Sequence, residues 1–369
     1  MRELIEDGIH RMLQEEVTPA LLASSATGVW AGGLWKLLED SGYTRALCSA
    51  SAGGSDAAWS DVHPLLVATG YHTLPLPLPE TLLGNWLMEQ AGVTPGDGLA
   101  DGPVGIADPG AATALSLVRD VTHGWRVSGP LCHVPWGRHC ALLVAQAVHD
   151  GRSHLVVLQS MGLSMRGAHN LAGEPRDSFD LVDAVPLAVA PWPAAVPSSL
   201  RLLGALLRCA QTAGAAQRLL RQTVRYANER VQFGKTLAQF QAVRQQIAAA
   251  ASETTAVSSA ADHACSTIGV EPADFAVAVA KIVACEAAGK VASTAHAVHG
   301  AIGYTAEHSL HHATQRLWSW RAEFGNVSWW SRRLGEAVCR QGADQLWPSM
   351  VDGKLAVPAP SAGESMTLQ

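Results

Sequence analysis

Three long helical patterns follow one another after residue 198, and they constrain the fold more than any other feature of the sequence. The first begins at a capping pair, Ser198-Ser199, and continues toward Tyr226. The second spans residues 239–268, and the third, at 274–298, is rich in Ala and Val. Because small residues let long helices approach closely, this half of the chain predicts a helical bundle.

Before the predicted bundle, the spacing of apolar residues changes once, from a helical pattern to short β-type runs. Residues 1 to about 100 have helical spacing, beginning with an amphipathic helix predicted over Met1 to Ala23. From about 101 to 196, Gly and Pro recur between short β-type runs at Trp125–Val127, Ala141–Ala147 and His154–Leu158. This order predicts a mainly α chain with a central, antiparallel β domain.

We therefore divide the sequence into four parts. An N-terminal helical domain covers 1–100, a middle β domain 101–196 and a C-terminal helical bundle 197–345. The last part, 346–369, contains Pro, Gly and Ser without an apolar pattern, which predicts a flexible tail.

Composition and charge exclude several classes of protein. The net charge is −6 and no block of Lys or Arg stands out, so nucleic acid is not an expected partner. The most apolar long stretch, Leu181–Pro197, is broken by prolines and cannot span a bilayer as a helix. The N-terminus lacks the basic start and apolar run of a signal peptide, and the seven cysteines form no C-x-x-C pair. A cytoplasmic protein with reduced thiols is expected.

A metal centre is not expected either. The sequence Glu307-His308-x-x-His311-His312 is the one metal-like run. It does not have the order H-E-x-x-H, and no third ligand is implied. It is more typical of a helix start that carries several histidines.

The most informative stretch is residues 226–243. A helix is expected to end near Arg230, and a turn at Phe233-Gly234 precedes the next helix. Arg230 at such a corner can fork onto a phosphate, Phe233 can cover an aromatic ring, and Gln241 can supply an amide hydrogen bond. Spacing alone also allows a plain turn between two helices with a surface arginine.

This stretch resembles the R-x-x-F-G-K-x-L-x-x-F-Q-x-V signature of the acyl-CoA dehydrogenase family. A second similar block, residues 297–308, corresponds to the family's Q-V-H-G-G-x-G-F/Y-T-x-E-H and contains Gly300. Leu76–Leu83 and Gly124–His139 also resemble the family, so the resemblance covers about residues 1–340. It implies three domains, of which the last is a four-helix bundle.

The resemblance also implies a reaction. Members of the family bind FAD and an acyl-CoA thioester. A carboxylate removes the α-proton while a hydride passes from the β-carbon to the flavin, and the electrons leave to an electron-transferring flavoprotein. Such chemistry needs a desolvated base beside an acidified carbon, while the cofactor performs the redox step.

The sequence departs from the family at the positions of the base. Aligned through Gly325, the usual catalytic glutamate is replaced by Phe324, and Glu323 lies one residue away. A minority of members carry the base on the helix before the arginine motif, and that position here is Gly204. Neither Phe nor Gly can accept a proton.

The positions that touch the flavin ring in the family also differ. Ala107 stands where a threonine supplies a hydroxyl, within the run 107–114. The family's W-x-T reads His133-Val134-Pro135, which lacks the indole and the hydroxyl.

The positions that hold the dinucleotide are better kept. Arg230, Gln232, Phe233, Gln241 and Gly300 remain, although Ala297 and Ala301 replace a Gln and a Gly. In this family the ADP half of each FAD contacts a neighbouring subunit. The resemblance therefore predicts a non-catalytic subunit that shares a composite FAD site with a homologous partner.

Mixed α2β2 members of the family act in bacterial steroid catabolism, which suggests a steroid or other bulky acyl-CoA as substrate. Two alternatives stay open. One is an active homotetrameric dehydrogenase with Glu323 as its base. The other is a non-enzymatic scaffold that binds CoA esters.

Overall fold

The computed structural model describes residues 1–93, 102–108, 114–120, 124–197, 199–270, 273–305, 307–351 and 357. Helices form both ends of the chain, and a sheet lies between them. The helices are α1 (Arg2–Glu16), α2 (Pro19–Ala26), α3 (Gly32–Asp40), α4 (Trp59–Tyr71), α5 (Leu78–Gln90), α6 (Leu200–Glu229), α7 (Gln241–Thr267), α8 (Asp274–His299), α9 (Leu310–Trp320), α10 (Val327–Gln341) and α11 (Ala343–Val351). The strands are β1 (Val104–Ala107), β2 (Leu115–Asp120), β3 (Gly124–Pro135), β4 (Leu142–His149), β5 (Arg152–Gln159), β6 (Ser164–Arg166), β7 (Arg176–Ala184), β8 (Ala188–Pro191), β9 (Val231–Gln232) and β10 (Lys235–Thr236).

This architecture confirms the predicted fold class. The three helical patterns of the second half correspond to α6, α7 and α8, which pack against one another and against α9 and α10. The three predicted β runs fall within β3, β4 and β5, apart from Ala141, which immediately precedes β4.

The N-terminal prediction of one helix over Met1 to Ala23 is wrong. α1 ends at Glu16, and α2 starts at Pro19 behind Thr18. Proline has no N–H and its ring clashes with a preceding helical turn, so it is tolerated at a helix start but not inside a helix. The Thr18 hydroxyl oxygen accepts a hydrogen bond from the Leu21 N–H at 3.2 Å and caps the new helix.

The central sheet is mostly antiparallel, with two parallel pairings. Its order is β6-β7-β3-β2-β4-β5-β8, with β1 also paired to β4. Both β1 and β2 run parallel to β4, at Val104 opposite Leu142 and Leu115 opposite Ala147. Strand β1 lies against α5, where the Thr81 hydroxyl forms hydrogen bonds with the backbone of Val104.

The N-terminal helices and the bundle meet at a close crossing of α4 and α6. A β-carbon placed on Gly70 would overlap the carbonyl oxygen of Gln211, and one placed on Gly214 would overlap that of Val67. Only glycine fits at either position. One apolar core consequently extends from Ile9 and Leu66 through Leu206 to Trp320.

The predicted flexible tail over 346–369 begins with a helix, because α11 continues to Val351. Apart from Val357, the remainder of that range lies outside the described residues, as does the predicted boundary between 100 and 101. Among the described helices, none combines the length and the apolar composition of a segment that crosses a bilayer.

Candidate active site

The loop between α9 and α10 holds Phe324 in a fixed and unusual conformation. Phe324 has φ = 55° and Gly325 has φ = 97°, both in the left-handed region. The carbonyl oxygen of Phe324 accepts a hydrogen bond from the Trp330 indole at 3.0 Å. The side chain of Asn326 caps α10 through the Trp329 N–H at 2.9 Å. These contacts secure the loop, which directs the Phe324 ring toward α6.

The ring of Phe324 lies directly against Gly204 of α6. A β-carbon on Gly204 would overlap Cδ1 of that ring. The guanidinium of Arg208, one helical turn further along α6, lies 5.5 Å from the centroid of the same ring. The two positions at which the family resemblance places a base therefore contact each other here, and neither carries a carboxylate.

Glu323, the weak candidate for a base, is bound by two arginines. Its Oε1 accepts from Nε of Arg176 at 2.8 Å, and its Oε2 accepts from Nε of Arg208 at 2.6 Å. Asn170 donates a further bond at 3.2 Å. Burial alone would raise the pKa of Glu323, but the charges and hydrogen bonds of Arg176 and Arg208 outweigh it and hold that pKa well below its usual range.

Glu323 belongs to a larger charge network. The network joins carboxylates and guanidiniums of helices α5, α6 and α9, of strand β7 and of the turn before that strand. Its charged members are Glu80, Glu174, Arg176, Arg208, Arg316 and Glu323. The joining distances are 2.7 Å for Glu80–Arg208, 2.8 Å for Glu174–Arg176 and 2.9 Å for Glu174–Arg316. Three negative charges face three positive charges, so each buried ion is compensated.

This geometry argues against Glu323 as the base. A general base needs a pKa near the working pH and a free lone pair aimed at the substrate. Glu323 has a lowered pKa, and both of its oxygens are engaged by arginines. A structural role, tying the loop before α10 to the sheet and to α6, fits these contacts better.

The dinucleotide-type residues occupy a hairpin that projects from the end of α6. α6 ends at Glu229, Arg230 is extended, and β9 pairs with β10 through Gln232 and Lys235. The turn residues Phe233 and Gly234 have φ of 53° and 77°, as in a two-residue hairpin of type I′. Phe233 is 91% exposed, with its ring edge-on to that of Phe240 at 6.4 Å.

The polar members of this set also face outward. Arg230, Gln232 and Gln241 are exposed, and the Arg230 guanidinium makes no hydrogen bond or ion pair within the part of the chain that the structure describes. Gly300 ends α8 with φ = 62°. Tyr226 of α6 stacks on His299 at 4.4 Å and so brings Gly300 close to the hairpin. The cofactor-binding role of all five residues remains a prediction.

The flavin-ring positions carry neither a hydroxyl nor an indole. Ala107 is buried in β1 opposite Ala145, and Pro135 is buried opposite Arg176. His133 is exposed with φ = 52°, at an irregularity in the pairing of β3 with β7. Residues 109–113 of the run that begins at Ala107 lie outside the described residues.

Sequence reasoning missed the charge network. Glu80, Arg208 and Glu323 are separated by more than a hundred positions at each step, and each looks like an ordinary polar residue in its own segment. The one indication of such a network in the sequence is that charged residues lie inside otherwise apolar patterns, where a charge requires a partner. Among the described residues, no group of three or more His, Cys, Asp or Glu side chains could hold a metal ion.

Comparison with known proteins shows similarity to the acyl-CoA dehydrogenases. The family model "Acyl-CoA dehydrogenase, C-terminal domain" matches residues 202–326. Acyl-CoA dehydrogenase FadE27 of Mycobacterium tuberculosis is 26% identical over 356 residues, which cover 84% of this chain and 89% of that protein.

Two solved structures extend the comparison over the fold. One is the ChsE4-ChsE5 complex from Mycobacterium tuberculosis, with a TM-score of 0.85 and 22% identity over 93% of this chain and 98% of the other. The second is a variant of the Tcur3481-Tcur3483 steroid ACAD, with a TM-score of 0.83 and 24% identity over 92% and 98%.

The class that the fold and the matched domain define is the acyl-CoA dehydrogenases. Residues 202–326 belong to that family. The chain as a whole shares its fold with the two solved structures.

Proposed function

We propose that this chain is the non-catalytic subunit of an FAD-dependent acyl-CoA dehydrogenase, and that a homologous partner subunit supplies the base. The observation that carries the proposal is the contact of Phe324 with Gly204, which fills both expected base positions with groups that cannot accept a proton. The nearest carboxylate in sequence, Glu323, is neutralised by Arg176 and Arg208.

The residues present fit one half of FAD. Arg230 offers an exposed guanidinium to a diphosphate, Gln232 and Gln241 offer amides, and Phe233 offers an exposed ring. The positions that would meet a flavin ring supply neither a hydroxyl nor an indole, because they carry Ala107, His133 and Pro135. The hairpin and Gly300 would therefore hold the ADP part of an FAD whose flavin ring lies against the partner.

When bound, FAD supplies the redox chemistry by accepting a hydride from the β-carbon of the thioester. This chain's own contribution is to bind and orient the cofactor from outside the reacting centre. The two-chain composition in the names of the ChsE4-ChsE5 and Tcur3481-Tcur3483 structures supports an α2β2 assembly. The word steroid in the second name supports a steroid or other bulky acyl-CoA as substrate. An electron-transferring flavoprotein would accept the electrons.

The test is purification of this chain alone and after co-expression with a homologous acyl-CoA dehydrogenase encoded beside it. We expect flavin absorbance, a two-plus-two native mass and bleaching by an acyl-CoA only with the partner. A lone chain that is yellow, tetrameric and bleached would overturn the proposal in favour of the homotetramer. A stable complex without flavin would favour the CoA-ester scaffold.

A further inference from the structure

A polar cavity of about 330 Å³ is lined by residues that belong neither to the hairpin nor to the charge network. It is formed by the ends of α1 and α4 and by the C-terminal half of α6, and its lining includes Tyr71, Arg218, Arg221, Gln222 and Arg225. This volume is at the lower end of the range for small-molecule sites, about 300–1,000 Å³. It is large enough for a small organic ligand.

Three arginines of α6 share the face that lines this cavity. Arg218, Arg221 and Arg225 are separated by three and then four residues, which places them on one side of a helix. Arg218 donates to the backbone carbonyl of Tyr71 at 3.0 Å, and Arg221 donates to the Tyr71 hydroxyl at 3.0 Å. Two of the three guanidiniums are thus held in place by Tyr71 at the end of α4.

Among the described residues, no carboxylate is paired with any of these three arginines. The ion pairs found among the described residues include none with Arg218, Arg221 or Arg225, whereas Arg176, Arg208 and Arg316 in the charge network are all paired. Burial lowers the pKa of Arg218, but an arginine stays protonated in proteins. Arg218 is partly buried and Arg221 and Arg225 are exposed, so the three guanidiniums present positive charge to the cavity and would attract an anion.

Two hydrogen-bonding atoms of the lining residues lie behind the cavity wall, out of contact with solvent. Nε of Arg218 and Oε1 of Gln222 are buried and have no partner among the described residues. The side-chain amide nitrogen of Gln222 donates to the Ser309 hydroxyl at 3.1 Å, which fixes the orientation of the amide. Its oxygen therefore points away from Ser309. The guanidiniums of Arg221 and Arg225 are the exposed ones, and each can donate two hydrogen bonds to the oxygens of a phosphate.

We propose that this cavity binds the phosphate or diphosphate group of a small organic phosphate through Arg218, Arg221 and Arg225. Two or more guanidiniums around one site match the charge of a phosphate dianion better than that of a single carboxylate. The site is separate from the proposed FAD contacts and does not depend on them.

The test is calorimetric titration of the full chain with inorganic pyrophosphate, at ionic strength held constant with sodium chloride. We expect saturable binding that weakens at least about tenfold in the double variant Arg221→Gln/Arg225→Gln, because two charge-assisted contacts are removed. Both side chains are exposed at their outer ends, so the variant should fold, which its thermal unfolding curve verifies. Arg332→Gln, an exposed arginine on α10, is the matched control and should bind like the wild type.

A second arm separates this cavity from the hairpin. Pyrophosphate binding that is lost in Arg230→Gln and kept in Arg221→Gln/Arg225→Gln would overturn the proposal, as would the absence of saturable binding to the wild type. Titration with ADP and with coenzyme A then distinguishes a free nucleotide from the phosphate end of a thioester coenzyme. The one that competes with pyrophosphate in the wild type and fails to bind the double variant is the better ligand.

Discussion

The aromatic ring of Phe324 and the backbone of Gly204 are in van der Waals contact, although the two residues are 120 positions apart in the sequence. Each residue explains the other. The ring can occupy this position only because residue 204 has no side chain, and the space above Gly204 is filled only because the loop before α10 holds Phe324 with a positive φ. A carboxylate side chain at position 204 would require the Phe324 ring to move.

A methyl group at position 204 should therefore destabilise the protein. Gly204→Ala forces its β-carbon against the Phe324 ring, and overpacking of this kind costs about 1–3 kcal/mol. Part of that cost is offset because alanine is favoured over glycine in a helix by about 1 kcal/mol. Urea unfolding should show a net loss of up to about 2 kcal/mol.

Gly335 provides the matched control, because it lies on an exposed face of α10 and a β-carbon there meets nothing within 4 Å. Gly335→Ala should leave the free energy of unfolding unchanged or raise it slightly. In a double-mutant cycle, Phe324→Leu should reduce the cost of Gly204→Ala. If the cost were the same with Phe324 and with Leu at that position, the contact would not be its cause.

Glu323→Gln should reduce stability without reducing the rate of the assembled enzyme. The substitution leaves Arg176 and Arg208 with one carboxylate fewer, and breaking a buried ion pair costs about 3 kcal/mol or somewhat less where other partners remain. The exposed Glu336→Gln on α10 is the control and should change stability by less than about 0.5 kcal/mol. A fall of about a hundredfold or more in acyl-CoA oxidation per bound flavin would instead identify Glu323 as the base.

The same residue predicts a pH dependence of stability. The pKa of Glu323 is lower in the folded state than in the unfolded chain, because Arg176 and Arg208 stabilise its charged form. Its contribution is thus fully present above the unfolded pKa of about 4.3 and is lost as the pH falls below it. Between about pH 5 and about pH 3, the wild type should lose more free energy of unfolding than Glu323→Gln does. Parallel curves for the two proteins would contradict this assignment.

Arg230→Gln should lower the flavin content of the complex with the partner subunit. A charge-assisted hydrogen bond to a phosphate contributes about 1.5–3 kcal/mol, so the Kd for FAD should rise roughly ten- to hundredfold. The measurement is flavin absorbance per complex after dialysis, with native mass showing that assembly is intact. Unchanged flavin content in Arg230→Gln, equal to that of Arg332→Gln, would remove the hairpin from the FAD site.

Local patterns were sufficient for much of the fold. The apolar spacing of α6, α7 and α8 and the short runs in β3, β4 and β5 depend on neighbouring residues. The elements were predicted within a few positions, except that β3 continues to Pro135, well beyond the predicted run. The break before Pro19 was missed because the apolar spacing of α1 was extended across a residue that begins a new helix. The parallel pairings of β1 and β2 with β4 depend on which distant strands meet, which periodicity does not report.

The candidate site was predictable only in part. The hairpin was found because Arg230, Phe233 and Gly234 are close in sequence and form a recognisable turn. Phe324 and Gly204 were each singled out, but nothing in the sequence indicates that they touch. The arginine face of α6 was also missed, because arginines at that spacing are usual on a solvated helix and only the cavity beside them distinguishes these three.

The glycine crossing of α4 and α6 has a consequence for how the chain comes apart. Since Gly70 and Gly214 bring the two backbones into contact, and one apolar core continues on both sides of them, the first and last thirds of the sequence cannot lose their packing independently. They form a single cooperative unit interrupted in sequence by the sheet, whose outer layer has a small core of its own around Leu131 and Phe179. A fragment that ends before α6 would therefore lack the helix against which α4 packs, and we expect the N-terminal helices to reach their final packing only after α6 has been synthesised.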